Sequence, residues 1–150
     1  MSVPDLEISI VQAETIWHDP QANRDCYQQL FREQSLHSDL IVLPETFTSG
    51  FSNEAVAQAE TMQGRTVAWL REQAQALNTA ITGSVQILDG GQVFNRMLWA
   101  MPDGELHVYD KRHLFRMANE HQRYAAGKDK IFIDDKGWRI CPLVCYDLRF

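Results

Sequence analysis

Apolar positions follow two rhythms along this chain, and the change from one to the other marks its elements. Leu6 to Val11 alternates, with Ile8 and Ile10 on one face, and predicts a strand. Asp19 followed by Pro20 reads as a helix N-cap and first helical residue. Tyr27, Leu30 and Phe31, with Leu36 beyond, then recur at helical spacing. Leu40 to Leu43 is a short unbroken apolar run, as expected of a strand buried on both faces, and Pro44 ends it. Thr66 to Leu77 predicts a second helix, with Val67, Leu70, Ala74 and Leu77 in one stripe. Ala80 to Leu88 and Val93 to Met101 read as strands joined by the turn Asp89-Gly90-Gly91. A turn at Pro102-Asp103-Gly104 leads to a strand from Leu106 to Tyr109. Arg112 to Gly127 is polar and irregular, a long functional loop with room for a short helix. Lys130 to Ile133, a turn at Asp134 to Gly137, and a strand from Trp138 to Cys145 complete the pattern. Strand, helix, strand, helix and then several strands predict a single α/β domain with a mixed sheet.

Composition narrows the class. A chain of 150 residues is the size of one domain, and 45% apolar with 23% charged residues is ordinary for a globular protein. A formal net charge of -6 argues against nucleic acid and anionic membranes as partners. No stretch approaches the roughly 20 apolar residues of a membrane helix. The N-terminus lacks the basic start and apolar core of a signal peptide, so a cytoplasmic location is expected. Three cysteines, Cys26, Cys141 and Cys145, fit a reducing compartment. Cys141 and Cys145 in one strand would have Cα atoms about 13 Å apart, too far for a disulfide. Neither a CxxC pair nor an HExxH stretch occurs, so no metal or cofactor is expected.

Three segments end an apolar run with a reactive side chain: Leu40–Glu45 (LIVLPE), Tyr109–Phe115 (YDKRHLF) and Leu143–Asp147 (LVCYD). A thiol needs a base to become a good nucleophile, and a tetrahedral intermediate needs a positive group near its oxyanion. Glu45, Lys111 and Cys145 supply these three roles. Each has a plain alternative: a surface carboxylate, a solvated lysine beside Asp110 and Arg112, and an inert buried thiol. Glu45, partly desolvated at a strand end, is suited to a raised pKa and to accepting the thiol proton. A helix starting at Cys145 would lower the thiol pKa. His113 and His121 offer a rival Cys–His dyad. Cys26 and Cys141 are assigned to packing, and Trp69, Trp99 and Trp138 to core or interface. Trp17 lies in a loop suited to lining a pocket. Phe47 and Phe51 flank Glu45, either as pocket wall or as core. Arg116 and Arg149 are suited to holding a substrate carboxylate bidentately, or to surface ion pairs.

The same segments resemble the nitrilase superfamily of carbon–nitrogen hydrolases, closest to its omega-amidase-like branch. Leu43–Phe51 (LPETFTSGF) is similar to the family's glutamate motif, Tyr109–Phe115 to its lysine motif, and Val144–Phe150 (VCYDLRF) to its nucleophile motif. Asn119–Gly127 (NEHQRYAAG) is similar to the stretch carrying a second glutamate, here Glu120. The resemblance implies an α-β-β-α sandwich, of which residues 1–150 are the N-terminal portion. It also implies a Glu45–Lys111–Cys145 triad, with the Tyr146 backbone N–H as a further oxyanion donor. Glu120 then positions Lys111 or assists proton transfer, or else forms only a loop salt bridge.

The function so implied is hydrolysis of a small-molecule amide through a cysteine thioester, with omega-amides of short 2-oxo dicarboxylic acids as substrates and a homodimer as the assembly. The family's domain continues beyond the nucleophile, whereas this chain ends five residues after it. A non-catalytic fragment that needs further chain or a partner is therefore one alternative, and a cysteine-dependent acyltransferase is another.

Overall fold

Residues 2–150 are described by a computed structural model. Strands β1 (Ile8–Ile10), β2 (Leu40–Val42) and β3 (Ala80–Asp89) run parallel, and each of the two crossovers carries a helix, α1 (Pro20–Gln34) or α2 (Arg65–Leu77). β4 (Gln92–Ala100) and β5 (Leu106–Asp110) add antiparallel strands, giving a five-stranded mixed sheet in the order β1-β2-β3-β4-β5. The β3–β4 turn holds Gly90 and Gly91 at φ of +55° and +77°, a two-residue hairpin that only glycine-like residues close without strain.

The helices form as their residues predict. The Asp19 side chain accepts the N–H of Ala22 at 3.0 Å, and Pro20 occupies the first turn of α1, where its missing N–H costs nothing. Tyr27 and Phe31 of α1 and Val67, Trp69, Leu70 and Ala74 of α2 cover one face of the sheet, against Ile41, Ile81, Val85, Ile87 and Leu98. Phe47 also lies in this core, edge-on to Tyr27 with ring centroids 5.8 Å apart, and so is packing rather than pocket wall.

Strand alternation turns the intervening residues to the other face. There Leu40, Ala80 and Trp99 meet Ile133 and Ile140 of a second, two-stranded sheet, β6 (Ile133–Asp135) and β7 (Trp138–Ile140). The described residues thus stack helices, main sheet and second sheet in that order, as an α-β-β-α sandwich requires.

Three expectations need correction. Asp134 and Asp135 belong to β6, and the turn narrows to Lys136-Gly137. β7 stops at Ile140 instead of running to Cys145, and Pro142, which lacks an N–H, follows immediately as extended chain. Trp138 is 42% exposed, its indole N–H donating to the Pro4 carbonyl at 2.8 Å, so it is not core. Ile8 and Ile10 do share a face, but it is open: they are 47% and 80% exposed.

The segment from residue 112 to 127 contains two single 3₁₀ turns, Arg116–Ala118 and Glu120–Gln122, and closes against the end of β5. Gly127 donates its N–H to the Lys111 carbonyl at 2.9 Å, and a Cβ placed on Gly127 would stand 2.2 Å from the Asp110 carbonyl oxygen. Gly127→Ala is therefore expected to destabilise the fold by about 1–3 kcal/mol through overpacking. Denaturant unfolding checks this, and an unchanged midpoint contradicts it.

Candidate active site

Strand register decides where Lys111 points. Arg96 lies opposite Asp110 and grips it with two guanidinium bonds of 2.7 and 2.9 Å. The next residue faces the other way, and Lys111 is fully buried. Its Nζ donates to Glu45 Oε1 at 2.9 Å and to Glu120 Oε2 at 3.0 Å. Asn95, on β4, ties the two carboxylates together: its Nδ2 donates to Glu45 Oε1 at 2.9 Å and to Glu120 Oε1 at 3.2 Å. The Phe51 ring lies 5.5 Å from the ammonium, close enough for a cation–π contact.

Glu45 reaches this point because β2 ends under Pro44 and the chain turns sharply. Thr46 has φ of +48°, and its N–H donates to Ser84 Oγ at 2.8 Å, pinning the turn to β3. The Glu45 side chain keeps 19% exposure, whereas that of Glu120 has none. Glu120 also accepts the Phe115 N–H at 2.6 Å, so its carboxylate closes its own loop as well as holding Lys111. Burial works to lower the Lys111 pKa, but the Glu45 and Glu120 carboxylates outweigh it and leave the pKa raised. Lys111 is a permanent cation, not a base.

Cys145 stands at φ of +46°, at the start of a single 3₁₀ turn spanning Cys145–Arg149. Leu43, Pro44, Glu45, Ser84, Val144 and Cys145 line one cavity of about 120 Å³. Within it the thiol and the Glu45 carboxylate border the same space. Partial desolvation first, and the Glu45 charge second, push the thiol pKa up, while the Lys111 cation and the Tyr146 N–H pull it down less. The lowering expected of a helix N-terminus is present only as the Tyr146 N–H of this short element and is outweighed. The proton rests on sulfur.

The other candidates separate. Tyr146 and Arg116 line a neighbouring cavity of about 320 Å³ with Arg112, His113, His121 and Phe150. It carries two arginines and two histidines and no Asp or Glu side chain, in a chain of net charge -6, and neither Arg112 nor Arg116 forms an ion pair among the described residues. Arg149 is exposed and lines neither cavity. His113 Nδ1 lies 2.9 Å from Asp147 and its ring stacks on Phe150 at 4.2 Å, while His121 is solvent-exposed, which leaves the Cys–His dyad without geometric support. Trp17 is 62% exposed and packs over Gly50 rather than into either cavity. Cys26 is half-buried, but Cys141 is exposed, so its assignment to packing fails. Sequence reasoning missed Asn95 and Asp147. Alternation along β4 places Asn95 on a buried face, and a buried amide there was the available signal. No cluster of three or more metal-ligating side chains occurs among the described residues.

Comparison with known proteins shows the family. Residues 7–150 match the family described as carbon-nitrogen hydrolase. The chain is 47% identical over 149 residues to an omega-amidase, YafV, of Escherichia coli strain K12, covering 99% of this chain and 57% of that protein. It is 30% identical over 146 residues to a 2-oxoglutaramate amidase of Bacillus subtilis, covering 95% and 56% respectively. A crystal structure of a CN-hydrolase superfamily protein from Xanthomonas campestris superposes with a TM-score of 0.94 at 62% identity, over 98% of this chain and 56% of that one. The chain therefore spans a little over half the length of the relatives it matches.

The thiol's setting makes a titration prediction. Alkylation of Cys145 by iodoacetamide should rise with pH through a midpoint above that of an ordinary cysteine. Glu45→Gln removes a charge that raises the thiol pKa, so it should move that midpoint down. A midpoint that stays put or moves up in Glu45→Gln contradicts the geometry.

Proposed function

The chain belongs to the carbon–nitrogen hydrolase family, the nitrilase superfamily, and from that membership we propose that the protein is a thiol amidase working through a Cys145 thioester. We take the chain as part of a single such domain. The observation that carries the reading is the shared position of Glu45, which touches the Lys111 ammonium at 2.9 Å and faces the Cys145 thiol across one small cavity. Base, cation and nucleophile are thereby within reach of one carbonyl group.

The reaction has two halves. Cys145 Sγ attacks the amide carbon while Glu45 takes the thiol proton, which the raised thiol pKa leaves on sulfur at neutral pH. Glu45 passes that proton to the leaving nitrogen, the carbon–nitrogen bond breaks, and ammonia departs. Water then attacks the thioester with Glu45 again as base, releasing a carboxylic acid and the thiol. An ammonium has three N–H donors. Glu45 takes one, the two Glu120 oxygens at 3.0 and 3.3 Å share a second, and the third, with the Tyr146 backbone N–H, holds the oxyanion in both halves. Glu120 is a positioning residue in this scheme: its Oε2 holds the Lys111 ammonium at 3.0 Å and the Phe115 N–H at 2.6 Å.

Small omega-amides of short 2-oxo dicarboxylic acids suit the site. Two of the relatives are an omega-amidase and a 2-oxoglutaramate amidase, and such substrates carry a carboxylate. The basic cavity bearing Arg116 is the matching surface, with Tyr146 on its wall and Phe51 on the side of Lys111. Arg149 has no part in this recognition. A homodimer in the cytoplasm belongs to the same reading.

Ammonia release from a panel of omega-amides tests the proposal. Cys145→Ala is expected to abolish turnover, and Glu45→Gln to lower kcat about 10²–10⁴-fold. Full activity in either variant sinks the reading. Arg116→Ala should raise KM about three- to tenfold for carboxylate-bearing amides, in line with loss of one exposed charged contact. KM for neutral amides of equal length should hardly move. An equal change for both classes removes Arg116 from substrate recognition.

A further inference from the structure

Asp147 is a fully buried carboxylate that the proposed reaction does not use. Its Oδ1 accepts the His113 N–H at 2.8 Å and meets His113 Nδ1 at 2.9 Å. Its Oδ2 accepts the Tyr109 hydroxyl at 2.7 Å and the Val144 N–H at 3.1 Å. The placement of these partners is specific. Tyr109 and His113 stand two residues before and two residues after Lys111, and Val144 is the residue before Cys145. One carboxylate therefore holds the cation's segment from both sides and, at the same time, the turn that carries the thiol. That turn needs holding, because Cys145 sits in a left-handed conformation that a non-glycine residue adopts only under constraint. Val144 and Asp147 also exchange bonds, the Asp147 N–H donating to the Val144 carbonyl at 3.0 Å, so the turn closes on itself around the side chain.

We propose that Asp147 is a positioning residue that fixes Cys145 relative to Lys111. The proposal rests on reading Cys145 as nucleophile and Lys111 as oxyanion partner. A carboxylate is suited to this because every group it faces is a donor or can be one. In Asp147→Asn the side chain keeps its size, but its amide turns N–H groups toward donors and at most one oxygen still accepts. Cys145 and Lys111 would then lose a common anchor, and a misplacement of about 1 Å between reacting groups costs on the order of a hundredfold in rate.

The experiment uses the intact protein and four variants: Asp147→Asn, Tyr109→Phe, His113→Ala and the Tyr109→Phe/Asp147→Asn double. Four quantities are measured: kcat and KM for ammonia release, the iodoacetamide alkylation rate of Cys145 relative to exposed Cys141, and the thermal midpoint. Asp147→Asn is expected to lower kcat about a hundredfold with KM within about threefold. Tyr109→Phe and His113→Ala should each lower kcat by about tenfold, and the double should be no worse than Asp147→Asn alone, since both residues act through one carboxylate. The Cys145-to-Cys141 alkylation ratio should change in all four. A folded Asp147→Asn with kcat within about twofold of the parent overturns the proposal, as does a loss confined to KM. Should Asp147→Asn fail to fold, Tyr109→Phe decides: parental kcat and alkylation ratio overturn the proposal. Should the parent hydrolyse no amide, the thiol-amidase reading fails, and the alkylation ratio alone then decides, an unchanged ratio overturning the positioning role.

Discussion

Everything near the site is arranged around one buried ammonium. Lys111 is fully removed from water, and an unpaired cation there would cost several kcal/mol. Two carboxylates from distant parts of the chain offset that cost, Glu45 from the end of β2 and Glu120 from the loop after β5. The cluster carries a net negative charge if all three are ionised, and Asn95 stabilises it by donating to both acids. Removing either acid would leave the ion group unbalanced, and breaking such a buried pair typically costs about 3–5 kcal/mol. The loop from residue 112 to 127 is thus tied to the sheet through the same contact that positions the cation.

Two glutamates touch one lysine, yet their surroundings divide the work. Glu120 has no exposure, spends one oxygen on the Phe115 N–H, and is committed to holding the loop and Lys111. Glu45 keeps partial access to the cavity where Cys145 lies. Environment, rather than residue type, makes one acid structural and leaves the other available for proton transfer. Partial desolvation first, and the Glu45 charge second, disfavour a thiolate, since an anion beside sulfur opposes a second anion. In the proposed reaction the proton leaves sulfur for Glu45 only as sulfur attacks.

How much of this the sequence made legible depended on how local each cause is. The N-cap at Asp19, the hairpin at Gly90-Gly91 and the apolar stripes of both helices are set by neighbours in the chain, and each reads correctly. Glu45, Lys111 and Cys145 were visible because each ends an apolar run inside a recognisable motif. Asn95 was not, because its meaning comes from cross-strand register, which turns it beneath two acids remote in sequence. The thiol's pKa runs opposite to the expected direction because desolvation, and then the Glu45 carboxylate beyond the end of β2, outweigh the Tyr146 N–H. β7 ends early because Pro142 cannot join a ladder, although the apolar pattern continues to Val144. Arg149 carried the right chemistry, but the single turn after Cys145 leaves it in solvent.

Backbone strain gives the site a common construction. Thr46, directly after Glu45, has φ of +48°, Cys145 has +46°, and Asn119, directly before Glu120, has +57°. Left-handed conformations cost non-glycine residues about 1–2 kcal/mol each, somewhat less for asparagine. Four other non-glycine residues with positive φ, His18, Ser35, Asn78 and Lys136, lie elsewhere in the chain, while these three flank or coincide with three of the four groups that converge on one point. A tight left-handed residue reverses the chain within one position, so a side chain at a strand end is thrown clear of the sheet instead of continuing its alternation. Each bend is held by a buried polar contact: Ser84 Oγ on the Thr46 N–H, Asp147 on the turn at Cys145, and the Glu120 carboxylate on the Phe115 N–H. The strain is therefore supported by hydrogen bonds that themselves need burial, and burial is what gives the Lys111 charge its strength. Loosening one bend would admit water to the others, which is why the cation, the acids and the thiol are better regarded as one mechanical unit than as separate catalytic groups.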